Sequence, residues 1–377
     1  MRFLYIGSRD VFSRHELGFI ASLSELGKVE VVVLGSRTRV EKLFVASDNG
    51  EHTVDLYEVP CEAKLWFSKY CAKIVSAIVD SRDCTAVFAT PRLPILVAYH
   101  LKASKVTVLR LWSIRAAKLR DNLRFGAYED ILLFVPSTLA NMYYILRSVY
   151  SVTVDHATYA FATKIYQFVK DRIAKVYPPY GYIPSKNETS WEIPEIIDKG
   201  GYILGFTVLG KTGPYLKFEA KPHAVVLYLL AKKTGIDVVL AGSTYDDWRH
   251  VFPNIEPPRN LHIIGKGFPD NIIARIYRNA HLVIVPITNR SIPNRLLEAL
   301  FYGKPIVTSE VVKLIHPELE HKKHLFISPW DAIVDDTIKL LKNEDLLKSL
   351  EQGAREAYAR YFSTRRNLMF LKRLLPT

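Results

Sequence analysis

The chain of 377 residues has only three cysteines, Cys61, Cys71 and Cys84, and no apolar run near the length of a membrane-spanning helix. The cysteines lack the spacing of metal ligands, so we expect reduced core thiols in a cytoplasmic protein. The first ten residues, MRFLYIGSRD, are typical of a strand entering a loop and lack the cleavage site of a signal peptide. These absences argue against a disulfide scaffold and an integral membrane protein.

Acidic residues are fewer than basic residues, 38 against 51. The net charge is +13, which implies an anionic partner. Between Leu101 and Phe125 only Asp121 is acidic, against seven cations: Lys102, Lys105, Arg110, Arg115, Lys118, Arg120 and Arg124. An anionic membrane, nucleic acid and a phosphorylated small molecule all suit such a segment, and so does a solvated basic face. Because no DNA- or RNA-binding motif is present, no nucleic acid partner is expected.

The apolar residues, 49% of the chain, alternate between two patterns. Short continuous apolar runs are separated by segments of helical length, which predicts parallel strands buried on both faces. In the first half these predicted strands are Phe3–Gly7, Val29–Gly35, Ala86–Thr90, Val106–Trp112 and Ser151–Ala157.

A proline-rich segment, Tyr177–Pro194, interrupts the alternation, which then restarts. We therefore predict an α/β protein of two Rossmann-like βαβ domains facing each other across a cleft. The first domain covers residues 1–180, the linker 181–198, and the second domain 199–377. The last helix, Leu346–Leu375, can pack on either domain.

The segment Ser291–Ser309, SIPNRLLEALFYGKPIVTS, carries the strongest functional signal. It follows an apolar strand and has a helix start at Ser291 and Pro293 and a stop at Gly303. A helix start at the carboxyl end of a parallel sheet suits an anion, although an ordinary capped helix has the same pattern. Glu298 lies among apolar neighbours, where an unpaired carboxylate would be costly, which favours a function.

The second half resembles the donor domain of family 4 glycosyltransferases, which have the two-domain GT-B architecture. The similar segments, in order over roughly 175 residues, are Ile203–Gly213, Val238–Ser243, Asn260–Ile287, Asn294–Ser309 and Ser349–Ser363. The first half is similar only in its strand–helix layout. The resemblance implies an acceptor-side first domain and a second domain that binds a nucleotide-sugar donor.

The resemblance implies that Glu298 holds the ribose diol of the donor, since a carboxylate accepts two charge-assisted hydrogen bonds. The start of the same helix would face the diphosphate through Ser291, Asn294, Arg295 and Leu296.

Three further positions follow from the resemblance. Lys211 would reach the diphosphate, although a solvated loop lysine fits equally well. Gly205 would end the first strand of the domain and let the ligand come close. The turn Gly265–Gly267, with Lys266, would cradle the nucleotide base, although a simple turn also explains it.

Two departures from the family concern the donor. Arg290 stands where many members have a glutamate that holds the sugar, and Phe206 stands where they often have an arginine. One diphosphate cation is then missing, and Arg290 or Arg295 could supply it.

The acceptor side is marked less clearly. The first loop, Gly7, Ser8 and Arg9, would face the cleft. No catalytic residue is identified, and the candidates are Arg110 and His156, each near the end of a predicted strand. Retaining enzymes of this kind are thought to pass the acceptor proton to the donor phosphate, so no dedicated base is required.

One aromatic and basic segment, Lys64–Val79, has helical spacing. It fits either an amphipathic helix facing the core or a peripheral helix on an anionic membrane.

The sequence therefore predicts a cytoplasmic glycosyltransferase, able to work at the inner face of the membrane. It would move a hexose from a nucleotide-diphosphate sugar to a hydroxyl of a glycan or lipid-linked acceptor, with retention by family analogy. No metal and no cofactor besides this co-substrate is expected, since no carboxylate pair is spaced to hold Mg²⁺ beside a diphosphate. The alternative is a non-catalytic GT-B protein that binds a nucleotide or glycan for a partner.

Overall fold

The computed structural model describes residues 1–61, 67–80, 83–101, 106–112, 114, 123, 129–184, 194–211, 216–288 and 294–375. The chain forms two compact units. The first contains Met1–Leu119, Glu129–Pro184 and Tyr361–Thr377, and the second is built on Ser185–Arg360.

The first unit holds an eight-stranded sheet in the order β3-β4-β2-β1-β5-β6-β7-β8. All neighbouring strands are parallel except β3 and β4, which form an antiparallel hairpin. The strands are β1 (Arg2–Gly7), β2 (Lys28–Gly35), β3 (Arg39–Ser47), β4 (Gly50–Pro60), β5 (Ala86–Ala89), β6 (Thr107–Leu111), β7 (Tyr150–Thr153) and β8 (Ile173–Lys175).

Helices cover both faces of this sheet, so β1 is buried on both sides. Leu4 and Ile6 enter one apolar layer, and Phe3 and Tyr5 enter the other. The helices are α1 (Arg14–Ser24), α2 (Ser68–Ile78), α3 (Leu93–His100), α4 (Glu129–Leu146) and α5 (His156–Ile165), with 3₁₀ turns at Arg9–Phe12 and Gln167–Arg172.

Two regions of the first unit differ from the sequence prediction. Strands β3 and β4 were not predicted, because their alternating exposed and buried residues form no continuous apolar run. The strand predicted at Ser151–Ala157 ends at Thr153. Its C-terminal part is wrong because Asp155 caps α5 and accepts a hydrogen bond of 2.6 Å from the Thr158 amide.

The second unit holds a six-stranded parallel sheet in the order β11-β10-β9-β12-β13-β14. Its strands are β9 (Tyr202–Phe206), β10 (Val238–Ala241), β11 (Leu261–Ile263), β12 (Ala280–Val285), β13 (Ile306–Ser309) and β14 (Phe326–Ser328). Its helices are α6 (Glu195–Lys199), α7 (Lys221–Thr234), α8 (Tyr245–Val251), α9 (Asp270–Asn279), α10 (Asn294–Phe301), α11 (Val312–Ile315), α12 (Ile333–Leu340) and α13 (Glu344–Ala357).

The single helix predicted at Leu346–Leu375 is wrong, since the segment forms α13 and a separate α14 (Thr364–Leu374), with a π-helical turn at Tyr358–Phe362 between them. Ser363 caps α14. Thr364 donates to Asp48 through its amide (3.0 Å) and hydroxyl (2.6 Å), and Leu371 joins an apolar layer of the first unit. Helix α14 therefore belongs to the first unit.

Candidate functional site

Helix α10 follows β12 at the carboxyl edge of the second sheet, where parallel α/β proteins bind ligands. Asn294 and Arg295 open the helix and are half-buried, whereas Leu296 is buried. The predicted site residues Arg290 and Ser291 lie outside the described residues.

The Glu298 carboxylate is fully buried within α10 and is bound by Tyr277 and Arg295. The Tyr277 hydroxyl donates to Oε2 at 2.7 Å, and Arg295 Nη1 lies 3.0 Å from Oε2 and 3.3 Å from Oε1. Burial, together with the neighbouring carboxylate, raises the pKa of Tyr277 well above its usual value, so its hydroxyl stays a donor. The buried charge is thus paired, as a buried carboxylate requires.

An aromatic column supports Arg295. Its guanidinium carbon lies 4.5 Å from the ring centroid of Phe206, a distance suited to cation–π attraction. Phe206 stacks on Tyr277, which stacks on Tyr302, with centroid separations of 5.4 and 5.1 Å. The aromatic residue at 206 therefore places a cation from α10 directly above the end of β9.

The packing of α7 on β9 explains why residue 205 is a glycine, which the sequence alone did not reveal. A Cβ at this position would lie 2.5 Å from Leu227 Cδ1 and 2.8 Å from His223 Nε2, both on α7. The glycine therefore lets α7 pack on β9, and its contact with a ligand stays a prediction. Burial lowers the pKa of His223 to about 3, and the charge of Arg295 adds to this, so the imidazole is neutral.

The predicted base-binding turn, Gly265–Gly267, requires glycine at both ends, with φ of +73° and +82°. Lys266 pairs with Asp247 at 3.4 Å, and a Cβ on Gly210 would lie 3.2 Å from Lys266 Nζ. The structure thus brings the loop that carries Lys211 beside this turn. Lys211 itself is exposed.

Asp247 was not singled out from the sequence. Burial acts to raise its pKa, but hydrogen bonds from Thr244 and Lys266 outweigh it and lower that pKa. The sequence signal that could have found Asp247 is the capping box, in which Thr244 caps α8 and Asp247 follows three residues later.

The predicted acceptor-side loop lies at the end of β1. Gly7 is needed there because a Cβ would lie 2.1 Å from Val11 Cγ2. Ser8 is half-buried, its carbonyl accepts from the Val11 amide at 3.1 Å, and Arg9 is exposed. Their contact with an acceptor stays a prediction.

The catalytic candidate Arg110 is fully buried and belongs to a charged cluster. Its Nη2 lies 3.0 Å from Glu16 Oε1, and its guanidinium carbon lies 3.7 Å from the Phe19 ring centroid. Tyr5 and Trp112 also donate to Glu16. Burial acts to raise the pKa of Glu16, but Arg110 and then His15 outweigh it, so the carboxyl is ionised. Arg110 therefore has a structural partner, and its catalytic role stays a prediction.

Glu16 was missed, although a signal existed. Like Glu298, it is an acidic residue within an apolar helical pattern, HELGFIASL.

The other catalytic candidate, His156, opens α5 with its Nδ1 3.5 Å from Lys175 Nζ. Helix α2 begins at Ser68 and buries Cys71, Ala72 and Val75. Residues 64–66 of the predicted segment Lys64–Val79 lie outside the described residues.

Among the described residues, no group of three or more histidine, cysteine, aspartate or glutamate side chains could hold a metal ion. No described helix has the length and apolar character needed to cross a bilayer.

One known family matches part of the chain. Residues 223–343, which include α7 to α12, match the family described as "Glycosyl transferases group 1". This segment contains Glu298, Arg295, Tyr277 and the turn Gly265–Gly267. No curated protein sequence matches the chain.

Several solved structures share the fold of the whole chain. A sucrose-phosphate synthase from Thermosynechococcus elongatus is 11% identical with a TM-score of 0.68, over 99% of this chain and 98% of that one. Anabaena Alr3699/HepE in complex with UDP and glucose is 12% identical with a TM-score of 0.65, over 99% and 98%. An E. coli structure described as "Trehalose-6-phosphate from E. coli bound with UDP-2-fluoro glucose" is 9% identical with a TM-score of 0.65, over 99% of both chains.

Identities this low establish the fold alone, and the fold is α/β with two Rossmann-like domains, as predicted. The family match adds the enzyme class for the stretch that it covers. Residues 223–343 therefore match a group 1 glycosyltransferase domain, within a chain of GT-B fold.

Proposed function

We propose that the protein transfers a hexose from a nucleotide-diphosphate sugar and that the second unit binds this donor. The observation that carries the proposal is the buried Glu298 on α10, at the carboxyl edge of the sheet and inside the matched domain. Its carboxylate can accept both hydroxyls of a ribose.

Donor binding exchanges one partner of Glu298. Tyr277 is fully buried and keeps its hydrogen bond, whereas the Arg295 side chain is 31% exposed and can turn away. The ribose hydroxyls then replace the guanidinium on the carboxylate.

Once released from Glu298, Arg295 supplies a positive charge to the diphosphate. It thereby replaces the arginine that family members often have at the position of Phe206. Its guanidinium already lies over the end of β9, and α10 directs backbone amides toward the same edge. Lys211, beside the Gly265–Gly267 turn, supplies a second cation. Fixed positive groups stabilise the negative charge that develops on the leaving nucleoside diphosphate.

UDP-glucose is the first donor to test, because two similar structures are described with UDP or a UDP-sugar. We propose a hydroxyl of a glycan or lipid-linked saccharide as acceptor, and retention without a metal, as in family 4.

The cytoplasm is the proposed compartment. The three cysteines are buried thiols, and burial raises the pKa of Cys61 to about 12 and that of Cys84 to about 11. Such thiols are inert and suit a reducing environment.

Thermal unfolding with nucleoside diphosphates tests the donor site, since a ligand of the folded state raises the melting temperature. The variants are Glu298→Gln, which keeps the shape of the side chain, and Glu256→Gln, an exposed control in the same unit. We expect one nucleotide, UDP first, to stabilise the wild type and the control but not Glu298→Gln.

If no nucleotide stabilises the wild type at millimolar concentration, the donor-site proposal is wrong. If a nucleotide binds but its sugar is neither transferred nor hydrolysed, the non-catalytic binding protein is the better description.

A further inference from the structure

Helix α4 in the first unit carries an exposed apolar stripe along its whole length. Its members, the α4 stripe, recur every three or four residues and are 80%, 60%, 54%, 44% and 48% exposed in chain order. They are Leu132, Val135, Leu139, Tyr143 and Leu146. Such spacing places them on one face of the helix, over about 21 Å.

The opposite face of α4 is anchored in the unit. Phe134 packs on Phe161 of α5 with a centroid separation of 6.5 Å, and the Tyr166 hydroxyl donates to the Thr138 carbonyl at 2.9 Å. Tyr144 and Ile145 are buried. The helix is therefore held by its inner face, and the exposed stripe is a second apolar face.

This second face is unusual for a protein surface in water. Single exposed apolar residues are common, but a contiguous apolar patch marks an interaction site. Residues 131–146 contain no charged side chain at all. Something apolar is therefore expected to cover the stripe.

Cations lie at the C-terminal end of the stripe. The Arg147 guanidinium carbon lies 4.4 Å from the ring centroid of Tyr99 and 4.8 Å from that of Tyr143. The charges of Lys69 on α2 and of Arg147 both act on His100, which ends α3, so each of these cations lies near that histidine. In sequence, the basic segment 101–125 precedes the helix.

We propose that the α4 stripe is a docking surface for an anionic lipid bilayer. The helix would lie in the interface with its apolar side chains among the acyl chains, while Lys69 and Arg147 contact the headgroups. Exposed tyrosines at this boundary present an apolar ring and a polar hydroxyl, which suits that depth. A second copy of the chain is disfavoured as occupant, because both copies carry +13.

This proposal differs from the membrane helix considered at Lys64–Val79. Cys71, Ala72 and Val75 of α2 face the core, and its exposed residues include Lys69, Tyr70, Lys73 and Ile78. Helix α2 thus contributes charge, and α4 contributes the apolar contact. The docking does not depend on glycosyl transfer.

Flotation with vesicles tests the surface directly. One set of vesicles is phosphatidylcholine alone, and the other is phosphatidylcholine mixed with phosphatidylglycerol. We expect the wild type to float with the anionic vesicles only, and less so as salt is raised. The double variant Leu132→Glu, Val135→Glu should lower the affinity for vesicles at least about tenfold, because it places charge on the face of α4 that would enter the bilayer.

The matched control is Val40→Glu, at a residue that is 66% exposed on β3. It should bind vesicles as the wild type does, and all variants should keep the melting temperature of the wild type. A third variant, Lys69→Glu, Arg147→Glu, should weaken binding to anionic vesicles while keeping the apolar stripe.

Three results would overturn the proposal. The first is the absence of vesicle binding by the wild type, and the second is vesicle binding that the α4 double variant leaves unchanged. The third is a lipid-free wild-type dimer that the α4 double variant converts to monomer, which would make the stripe an interface between two copies.

Discussion

The two units each bury a glutamate on a helix that follows a parallel strand of the unit's sheet, and the surroundings of the two carboxylates are alike. Glu16 and Glu298 each accept from a tyrosine hydroxyl and pair with an arginine that lies on a phenylalanine ring. The arginines differ. Arg110 is fully buried, whereas the Arg295 side chain is 31% exposed. One pair is therefore closed, and the other can exchange a partner with a ligand.

Burial of the arginine decides what loss of the carboxylate does. Without Glu16, the Arg110 charge would stay in an apolar layer. Without Glu298, the Arg295 charge can turn into water. The same set of residue types thus serves architecture in one unit and, in the proposed function, recognition in the other.

The largest effect should follow Glu16→Ala, which we expect to lower the free energy of unfolding by about 3–5 kcal/mol because it leaves a buried charge unpaired. Urea denaturation measures it, with Glu256→Ala as the control. The double variant Glu16→Leu, Arg110→Met should recover most of the loss. A loss below 1 kcal/mol for Glu16→Ala would contradict the closed pair.

Glu298→Ala should cost less stability, about 1–3 kcal/mol, since the Tyr277 hydroxyl loses a buried acceptor whereas the Arg295 charge can turn into water. The same urea titration compares the two variants. If Glu298→Ala costs as much as Glu16→Ala, then Arg295 cannot turn away, and the exchange with ribose is excluded.

Arg295→Ala should change the affinities of two donor-site ligands, UDP and uridine, in different ways. UDP should bind about tenfold more weakly, because a charge-assisted contact to the diphosphate is lost. Uridine should bind at least as well as to the wild type, because the carboxylate no longer has to release a guanidinium. Calorimetry measures both, with Arg259→Ala as the exposed control. Equal weakening of both ligands would show that Arg295 only keeps the site in shape.

The smallest effect should follow Phe206→Leu, which removes the ring beneath Arg295. Loss of a cation–π contact should weaken UDP binding about two- to fivefold. Phe206→Tyr keeps the ring and should bind UDP as the wild type does. Should Phe206→Leu bind UDP normally, the ring would have no part in placing the guanidinium.

The alternation of strands and helices could be predicted from sequence because β1, β2, β9 and β12 are buried on both faces and read as continuous apolar runs. The hairpin β3–β4 could not, because it is half-exposed.

Glu298 was predicted because a charge in an apolar helix is conspicuous and a family resemblance gave it a role. Glu16 shows the same local pattern but no resemblance directed attention to it. Their partners depend on tertiary structure, since Tyr277 precedes Glu298 by 21 residues and Arg110 follows Glu16 by 94. The packing reason for Gly205 likewise needs α7 in place.

Helix α14 has a consequence for the order in which the protein is made. Its Leu371 and Leu375 complete an apolar layer of the first unit, and Thr364 bonds to Asp48. During synthesis these residues emerge only after the whole second unit. Domains usually fold in the order in which the ribosome delivers them. Here the unit that is translated first must wait for its final helix, so a released chain that is truncated after Arg360 should contain a folded second unit and an incomplete first unit.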